Sequence, residues 1–284
     1  MNEKSDLSKI KLVALDLDGT LLDPKSEVNE ACKEAIRSAD RAGIEIVIST
    51  GRPYSGILPE YMENLPIRYC ITTNGAAVYK RKGRELLYSQ CLDNEQIAKV
   101  CEFLMTRHTH FDVFIGGDGY AARQKVPIID ELDMPPALKY YLNDTRQHVD
   151  DIVSFVRSSK EPVQKVTMNF PPSVLTTDRE EVREKLGSDP AFRLVSGGYN
   201  NLEITRYDVA KSKALYYLCD YLGIPRDASA AVGDSENDLD IIKAAGLGVA
   251  MGNATPEVKD AADIIIEDNA HDGVALFLHS LIPS

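Results

Sequence analysis

The sequence predicts an α/β protein: a doubly wound, mostly parallel sheet with an α+β block inserted into it. Three observations predict this. Short β-branched apolar runs alternate with amphipathic helical segments at both ends of the chain. Several of those runs end directly in loops rich in Asp, Gly, Thr or Asn, as strands do at the ligand-binding edge of an open α/β sheet. Between about Leu86 and Arg206 the pattern changes, with alternating strands, Gly-rich hairpin turns and clustered prolines.

In order, Ile10–Leu15 (IKLVAL) is a buried strand that stops at Asp16. Asn29–Ala42 is a helix, with Asn29 as its cap, Ala31, Ala35, Ile36 and Ala39 as its apolar stripe, and Gly43 as its stop. Ile44–Ile48 is a second buried strand, running into Ser49-Thr50-Gly51-Arg52, and Tyr69–Thr72 a third, running into Thr73-Asn74-Gly75. Near the C-terminus the pattern resumes. Ser212–Leu222 is a helix ended by Gly223, Ala228–Val232 a strand ending at Gly233-Asp234, and Asp238–Ala245 a helix. Leu247–Met251 is a strand, Thr255–Ala262 a helix and Ile264–Ile266 a last strand. Both ends thus belong to one Rossmann-like sheet, residues 1–85 and 207–284. The inserted block, 86–206, has hairpins at Asp112–Ile115/Tyr120–Arg123 and Phe192–Ser196/Asn201–Thr205, a strand at Lys165–Phe170, and helices at Asn94–Thr106 and Asp178–Leu186.

Composition narrows the function. With 284 residues the chain can bury a core without disulfides or a structural metal, and two domains are the expectation for its length. Its net charge of −12 opposes a role on nucleic acid or an anionic membrane, which reward a basic face. No apolar run approaches the ~20 residues of a membrane helix, and the start, MNEKSDLSKIK, has no apolar signal-peptide core. The five cysteines (Cys32, Cys70, Cys91, Cys101, Cys219) are scattered and form no Cys-x-x-Cys pair, so free thiols in a reducing cytoplasm are expected.

The residues that can carry chemistry lie at the strand ends. Asp16 and Asp18 fall two apart beyond a buried strand, where extended backbone would face them to the same side. Two clustered carboxylates repel unless a hard cation or a shared proton relieves them, and Mg2+ suits one or two carboxylates plus phosphate oxygens. An Asp-Gly surface turn would explain the same tetrapeptide. Thr50-Gly51 offers a hydroxyl and an unshielded N–H to a phosphate oxygen, although a plain strand-to-helix turn accounts for it as well. Asn74-Gly75 reads foremost as a turn. Gly233-Asp234-Ser235-Glu236-Asn237-Asp238 packs three acids and an amide into a short loop. A helix N-terminus explains Asp238 but not Gly233-Asp234. Lys211 starts a helix, where the dipole disfavours a cation unless an anion lies close; Lys213 competes for the same role.

Taken together, DLDGTLL, STGRP, TNGA, DVAKSKAL, GDSEND and GVAMGNA, in this order, resemble the haloacid dehalogenase superfamily, and most closely its Cof-type sugar-phosphatase branch. The resemblance runs from about Lys11 to the final helix, and the inserted block matches that branch's cap in position and length. It implies a Mg2+-dependent phosphatase of small phosphorylated metabolites, plausibly sugar phosphates. Asp16 would be the nucleophile and Asp18 the general acid/base. Leu17 (by its amide), Thr50, Gly51, Lys211 and Asn237 would bind the phosphoryl group. Asp16, the Asp18 carbonyl and Asp234 would hold the metal, with Asp238 supporting it. The chain departs from the family in having Ser212 after the motif lysine, where glycine is common, and Ile241-Ile242 where Met-Leu is frequent.

Two other readings share these residues. A phosphosugar mutase would use the same Asp16 and return the phosphoryl group to the substrate; a non-catalytic phosphoryl-binding module would only hold it. A dehalogenase has no use for Asp18. Substrate choice would fall to the cap, with Lys165–Asn169 and Asn201–Thr205 as candidates, and the cap would move about linkers near 84–88 and 206–210. The expected state is a monomer or weak homo-oligomer in the cytoplasm.

Overall fold

The computed structural model describes residues 7–196 and 198–282. The start of the chain, residues 1–6, and Gly197 in the turn of the second expected hairpin lie outside the described residues. The chain divides into two compact units, one formed by 7–51, Ile57–Tyr88 and 210–282, the other by Arg52–Gly56 and Ser89–Val209.

The first unit opens with strands β1 (Leu12–Leu15), β2 (Glu45–Ser49), β3 (Tyr69–Thr72), β4 (Ala77–Lys80) and β5 (Glu85–Ser89). The chain then builds the second unit with β6 (His110–Ile115), β7 (Asp118–Ala122), β8 (Arg146–Val149), β9 (Val163–Asn169), β10 (Phe192–Val195) and β11 (Leu202–Arg206). It returns with β12 (Ser229–Gly233), β13 (Leu247–Ala250) and β14 (Ile264–Ile265).

The first sheet has the order β14-β13-β12-β1-β2-β3-β4-β5. From β14 to β3 every neighbouring pair is parallel, and β3 pairs with β4 antiparallel. The α/β class and the doubly wound sheet are therefore as expected, with an antiparallel margin the sequence did not announce. β1 is wholly buried, with apolar clusters on both sides of it. Val13 and Leu15 pack toward Ile36, Ile48 and Leu278, and Leu12 and Ala14 toward Val47, Leu215 and Leu218. Burial on both faces is why the strand reads as a continuous apolar run. The expected helix at 29–42 is Glu30–Arg41, with the Asn29 side chain accepting the Cys32 N–H. The helix Lys211–Leu222 ends at Gly223 in the left-handed conformation, as its sequence predicts.

The second unit is α+β, with the sheet order β10-β11-β9-β6-β7-β8. Its pairs are antiparallel except β7 with β8. Gly116 and Gly117, both at positive φ, make the two-residue turn between β6 and β7. One sheet face is apolar, built on Phe111, Val113, Val166, Met168 and Ile204. Helix Pro136–Asp144, strand β8 and helix Ile152–Ser158 were not expected from the sequence. All five cysteines are free, four buried and Cys91 half-buried. Among the described residues no helix is long and apolar enough to cross a membrane.

Candidate active site

The C-terminal ends of β1, β2, β3 and β12 and the start of helix Lys211–Leu222 supply the first unit's polar centre. Asp16 leaves β1 in extended conformation and is buried. The chain then closes a wide turn, in which the Leu21 N–H donates to the Asp16 carbonyl at 3.2 Å and the Leu22 N–H to the Leu17 carbonyl at 2.9 Å. Gly19 sits in this turn at φ +77°. Asp16 and Asp18 do not share one environment as extended backbone would have given them: Asp16 is buried and Asp18 exposed, because the turn begins at Leu17.

Asp234 follows β12 opposite this turn. The Thr20 hydroxyl donates to Asp234 Oδ1 at 3.4 Å. A Cβ on Gly19 would lie 2.4 Å from Asp234 Oδ2, so glycine is required there both by the backbone angle and by the closeness of the carboxylate. Asp238 is buried beneath. Its Oδ2 accepts the N–H groups of Asp234 (3.1 Å) and Ser235 (3.2 Å), and its Oδ1 accepts from Lys211 Nζ at 2.7 Å.

Lys211 Nζ also donates to Asp16 Oδ1 at 2.8 Å and to the Ser49 carbonyl at 3.0 Å. An ammonium has three donors, and all three are engaged. Lys211 is almost fully buried, whereas Lys213 is exposed. The anion that a lysine at a helix start calls for is thus a pair of carboxylates. Asp240 Oδ2 accepts the Ser212 N–H at 2.9 Å and so caps the same helix.

Thr50 and Gly51 follow β2, Thr50 buried. Asn74, at φ +59°, follows β3, and its N–H donates to the Thr50 carbonyl at 3.2 Å. Asn237 Nδ2 donates to Asn74 Oδ1 at 3.4 Å, and Asn237 Oδ1 accepts from the Ser235 hydroxyl at 2.7 Å. Gly75 sits at φ +94°, where a Cβ would fall 2.3 Å from the Ala210 carbonyl oxygen, so the helix carrying Lys211 docks backbone to backbone on this turn.

The electrostatics follow from burial. Burial pushes the Asp16 carboxyl well above its ordinary range. Lys211 pulls it down again, while Asp238, Asp18 and Asp234 add to the rise. Burial, then Asp238, raises Asp234 to about 7. Burial works against the charge on Lys211, but Asp16 and Asp238 outweigh it and hold that pKa above its ordinary value.

The haloacid dehalogenase-like hydrolase family model matches residues 13–278 of this chain, spanning all of these site residues. The chain belongs to this family. It is 32% identical over 289 residues to Phosphatase YwpJ of Bacillus subtilis (strain 168), covering 96% of this chain and 100% of that one. It is 30% identical to the B. subtilis 5-amino-6-(5-phospho-D-ribitylamino)uracil phosphatase YcsE, over 94% of this chain and 93% of that one. A solved haloacid dehalogenase-like hydrolase from B. subtilis matches with a TM-score of 0.81 at 28% identity, covering 95% of this chain and 99% of that one.

The donor set fits the metal ion that this family implies. Carboxylate oxygens of Asp16, Asp234 and Asp238 lie within 4.8 Å of one another. One ammonium contacts Asp16 and Asp238, and burial, with the neighbouring acids adding to it, raises the Asp16 and Asp234 carboxyls. All-oxygen donors of this kind suit a hard cation. Asp238 has both oxygens engaged by Lys211 and backbone N–H groups, which leaves Asp16 and Asp234 better able to turn to an ion.

Among the residues expected at the site, Asp16, Leu17, Thr50, Lys211 and Asp238 are buried, Asp234 is held through its backbone N–H and carbonyl, and Gly51 is half-buried. Asp18 is exposed on the turn, and Asn237 is joined to Asn74. The sequence reads Asn74-Gly75 as a turn and gives no role to Thr20, the Ser49 carbonyl, Asn253 or Asn269. Thr20 and Asn253 lie in the motifs DLDGTLL and GVAMGNA; Asn269 lies in none of them.

Proposed function

We propose that this phosphoric monoester hydrolase is a magnesium-dependent phosphatase of small sugar or polyol phosphates, working through an aspartyl-phosphate on Asp16. The observation that carries the reading is the Asp16–Lys211–Asp238 triad with Asp234 beside it. A buried carboxylate held by an ammonium and facing a second acidic loop suits a nucleophile that a cation can bring to a phosphate.

Asp16, the Asp18 carbonyl and Asp234 would hold Mg2+. When bound, the ion offsets the negative charge that otherwise sets an acidic cleft against a phosphate ester. Lys211 fixes the Asp16 carboxylate and favours its ionised form. Asp16 attacks phosphorus, and the alkoxide leaves with a proton from the Asp18 carboxyl. Asp18 then takes a proton from the water that cleaves the aspartyl-phosphate. Splitting one displacement into two lowers each barrier. The Leu17 and Gly51 amides, the Thr50 hydroxyl and Asn237 position the phosphoryl oxygens, and Lys211 adds positive charge behind them. Asn74 holds the Thr50–Gly51 loop and Asn237 together.

The sugar or polyol class is supported by the ribityl phosphate in the name of the relative YcsE. The second unit would act as the cap that reads the leaving group. Phosphate release from a panel of hexose, pentose, polyol and non-sugar monoesters tests the reading, run with Mg2+ and with EDTA. Metal-dependent release, highest on sugar or polyol esters, is expected. Isomerisation of a hexose phosphate without phosphate release would replace it with a mutase, and release only from non-sugar esters would remove the substrate class.

A further inference from the structure

The GVAMGNA segment recognised in the sequence takes no part in the chemistry proposed above, yet its turn touches both acidic loops. After β13, the Met251 N–H donates to the Gly233 carbonyl at 3.1 Å and the Thr255 N–H to the Asp234 carbonyl at 3.0 Å. From the same turn Asn253 Nδ2 donates to the Gly19 carbonyl at 2.8 Å. Asn253 Oδ1 accepts the Asn269 N–H at 3.2 Å, and Asn269 Nδ2 donates to the Leu22 carbonyl at 2.8 Å. The two asparagines thus grip the Asp16–Leu22 turn at two carbonyls, while the backbone beside Asn253 grips the Asp234 loop.

The supports are closely packed. A Cβ on Gly252 would lie 2.8 Å from the Asp268 nitrogen, and one on Gly273 2.0 Å from the Glu267 carbonyl oxygen. The Met251–Thr255 turn and the loop carrying Asn269 therefore pack backbone on backbone. Asn253 itself is exposed, where a hydrogen bond adds little to folding stability. Its two amide ends are nevertheless both spent on backbone groups of other segments. Gly19, its target, is the residue in the turn with the widest backbone freedom and stands between Asp18 and Thr20. Fixing the Gly19 carbonyl fixes ψ at Gly19, and with it the aim of Asp18 on one side and of Thr20 toward Asp234 on the other.

We propose that Asn253, oriented by Asn269, is a positioning residue that locks the Asp18–Gly19–Thr20 backbone against the Asp234 loop. The proposal rests on the phosphatase reading for its effect on rate, but the locking itself does not. Asn253→Asp keeps the shape and the acceptor for Asn269, and replaces the donor to Gly19 with a repelling oxygen. A loosened active-site turn can cost about 10²-fold in rate, so kcat in Asn253→Asp should fall by roughly 10- to 100-fold with KM for the best panel substrate within about threefold. Asn269→Ala, which loses only the donor to the Leu22 carbonyl, should show a smaller fall in kcat. Amide hydrogen exchange should rise in the peptide covering 16–22 and stay unchanged across β13 and helix Gly273–Ser280.

Wild-type kcat in Asn253→Asp would overturn the proposal, whether or not exchange rises. A lowered melting temperature with exchange raised throughout the unit would make the residue structural and overturn it too. If Asn253→Asp does not fold, Asn269→Ala carries the same comparison. Wild-type protein that releases no phosphate removes the proposed function, and the exchange at 16–22 then still decides whether Asn253 locks the turn.

Discussion

Asp234 shows how one half-buried carboxylate ties stability to pH. Its pKa of about 7 in the folded chain lies above the ordinary 3.8. Between those values the folded state binds more protons than the unfolded one, so stability falls as pH rises from about 4 to 7 and the loss is complete above that. In EDTA the wild-type protein should therefore melt lower at pH 8 than at pH 5. Asp234→Asn should flatten that dependence and melt higher than wild type at pH 8. Parallel melting curves for the two proteins would show that Asp234 carries no such charge penalty. Lys211 makes the opposite case. Lys211→Ala leaves Asp16 and Asp238 buried without their cation, which should cost about 3 kcal/mol or more in a urea titration at pH 8. Lys213→Ala should stay within about 0.5 kcal/mol of wild type, as exposed positions do. The sequence could not choose between these lysines. Both sit in the first turn of one helix, and only the docking of that helix decides which one turns inward.

At the scale of elements, most strands apolar on both faces were legible, β4 (Ala77–Lys80) excepted. β1, β2, β3 and β12 announced themselves as short apolar runs, and the ends of β1 and β12 gave the acidic loops. β8 did not, because its sequence is Arg-Gln-His-Val and its burial rests on charge. Arg146 is buried, with Nε 3.1 Å from the buried Asp112 carboxylate on β6, and it lies across Gly119 of β7, where a Cβ would fall 2.5 Å from its Cδ. Hydrophobic periodicity has no access to a residue buried by an ion pair. Asn74-Gly75 was legible as a turn but not as a docking surface, since its partner, Ala210, is far away in sequence. Gly75→Ala should destabilise the protein by at least about 2 kcal/mol, from a positive φ and a backbone clash together. The measurement is the urea midpoint. An unchanged midpoint would mean that the helix carrying Lys211 can shift without cost.

For the molecule as a whole, the order of motifs carried more than any one of them. Each strand-end loop had a plain turn as its alternative. What the fold adds is that parallel strands bring all of these loops to one edge of one sheet, where Asp16, Asp234, Asp238 and Lys211 form a single charge network. The roles of residues acting on backbone carbonyls, such as Asn253 within GVAMGNA and Asn269, stayed hidden, because nothing in a sequence marks which distant carbonyl an amide will meet. The central claim is that Asp16 is the attacking group of a metal-dependent phosphatase. The most direct test is rapid-quench mass spectrometry of wild type and Asp16→Asn, mixed with the best substrate of the panel and Mg2+. A transient phosphorylated peptide containing Asp16 is expected in wild type, with none in EDTA and none in Asp16→Asn, together with a loss of turnover of about 10⁴-fold or more. Turnover that survives in Asp16→Asn would contradict it.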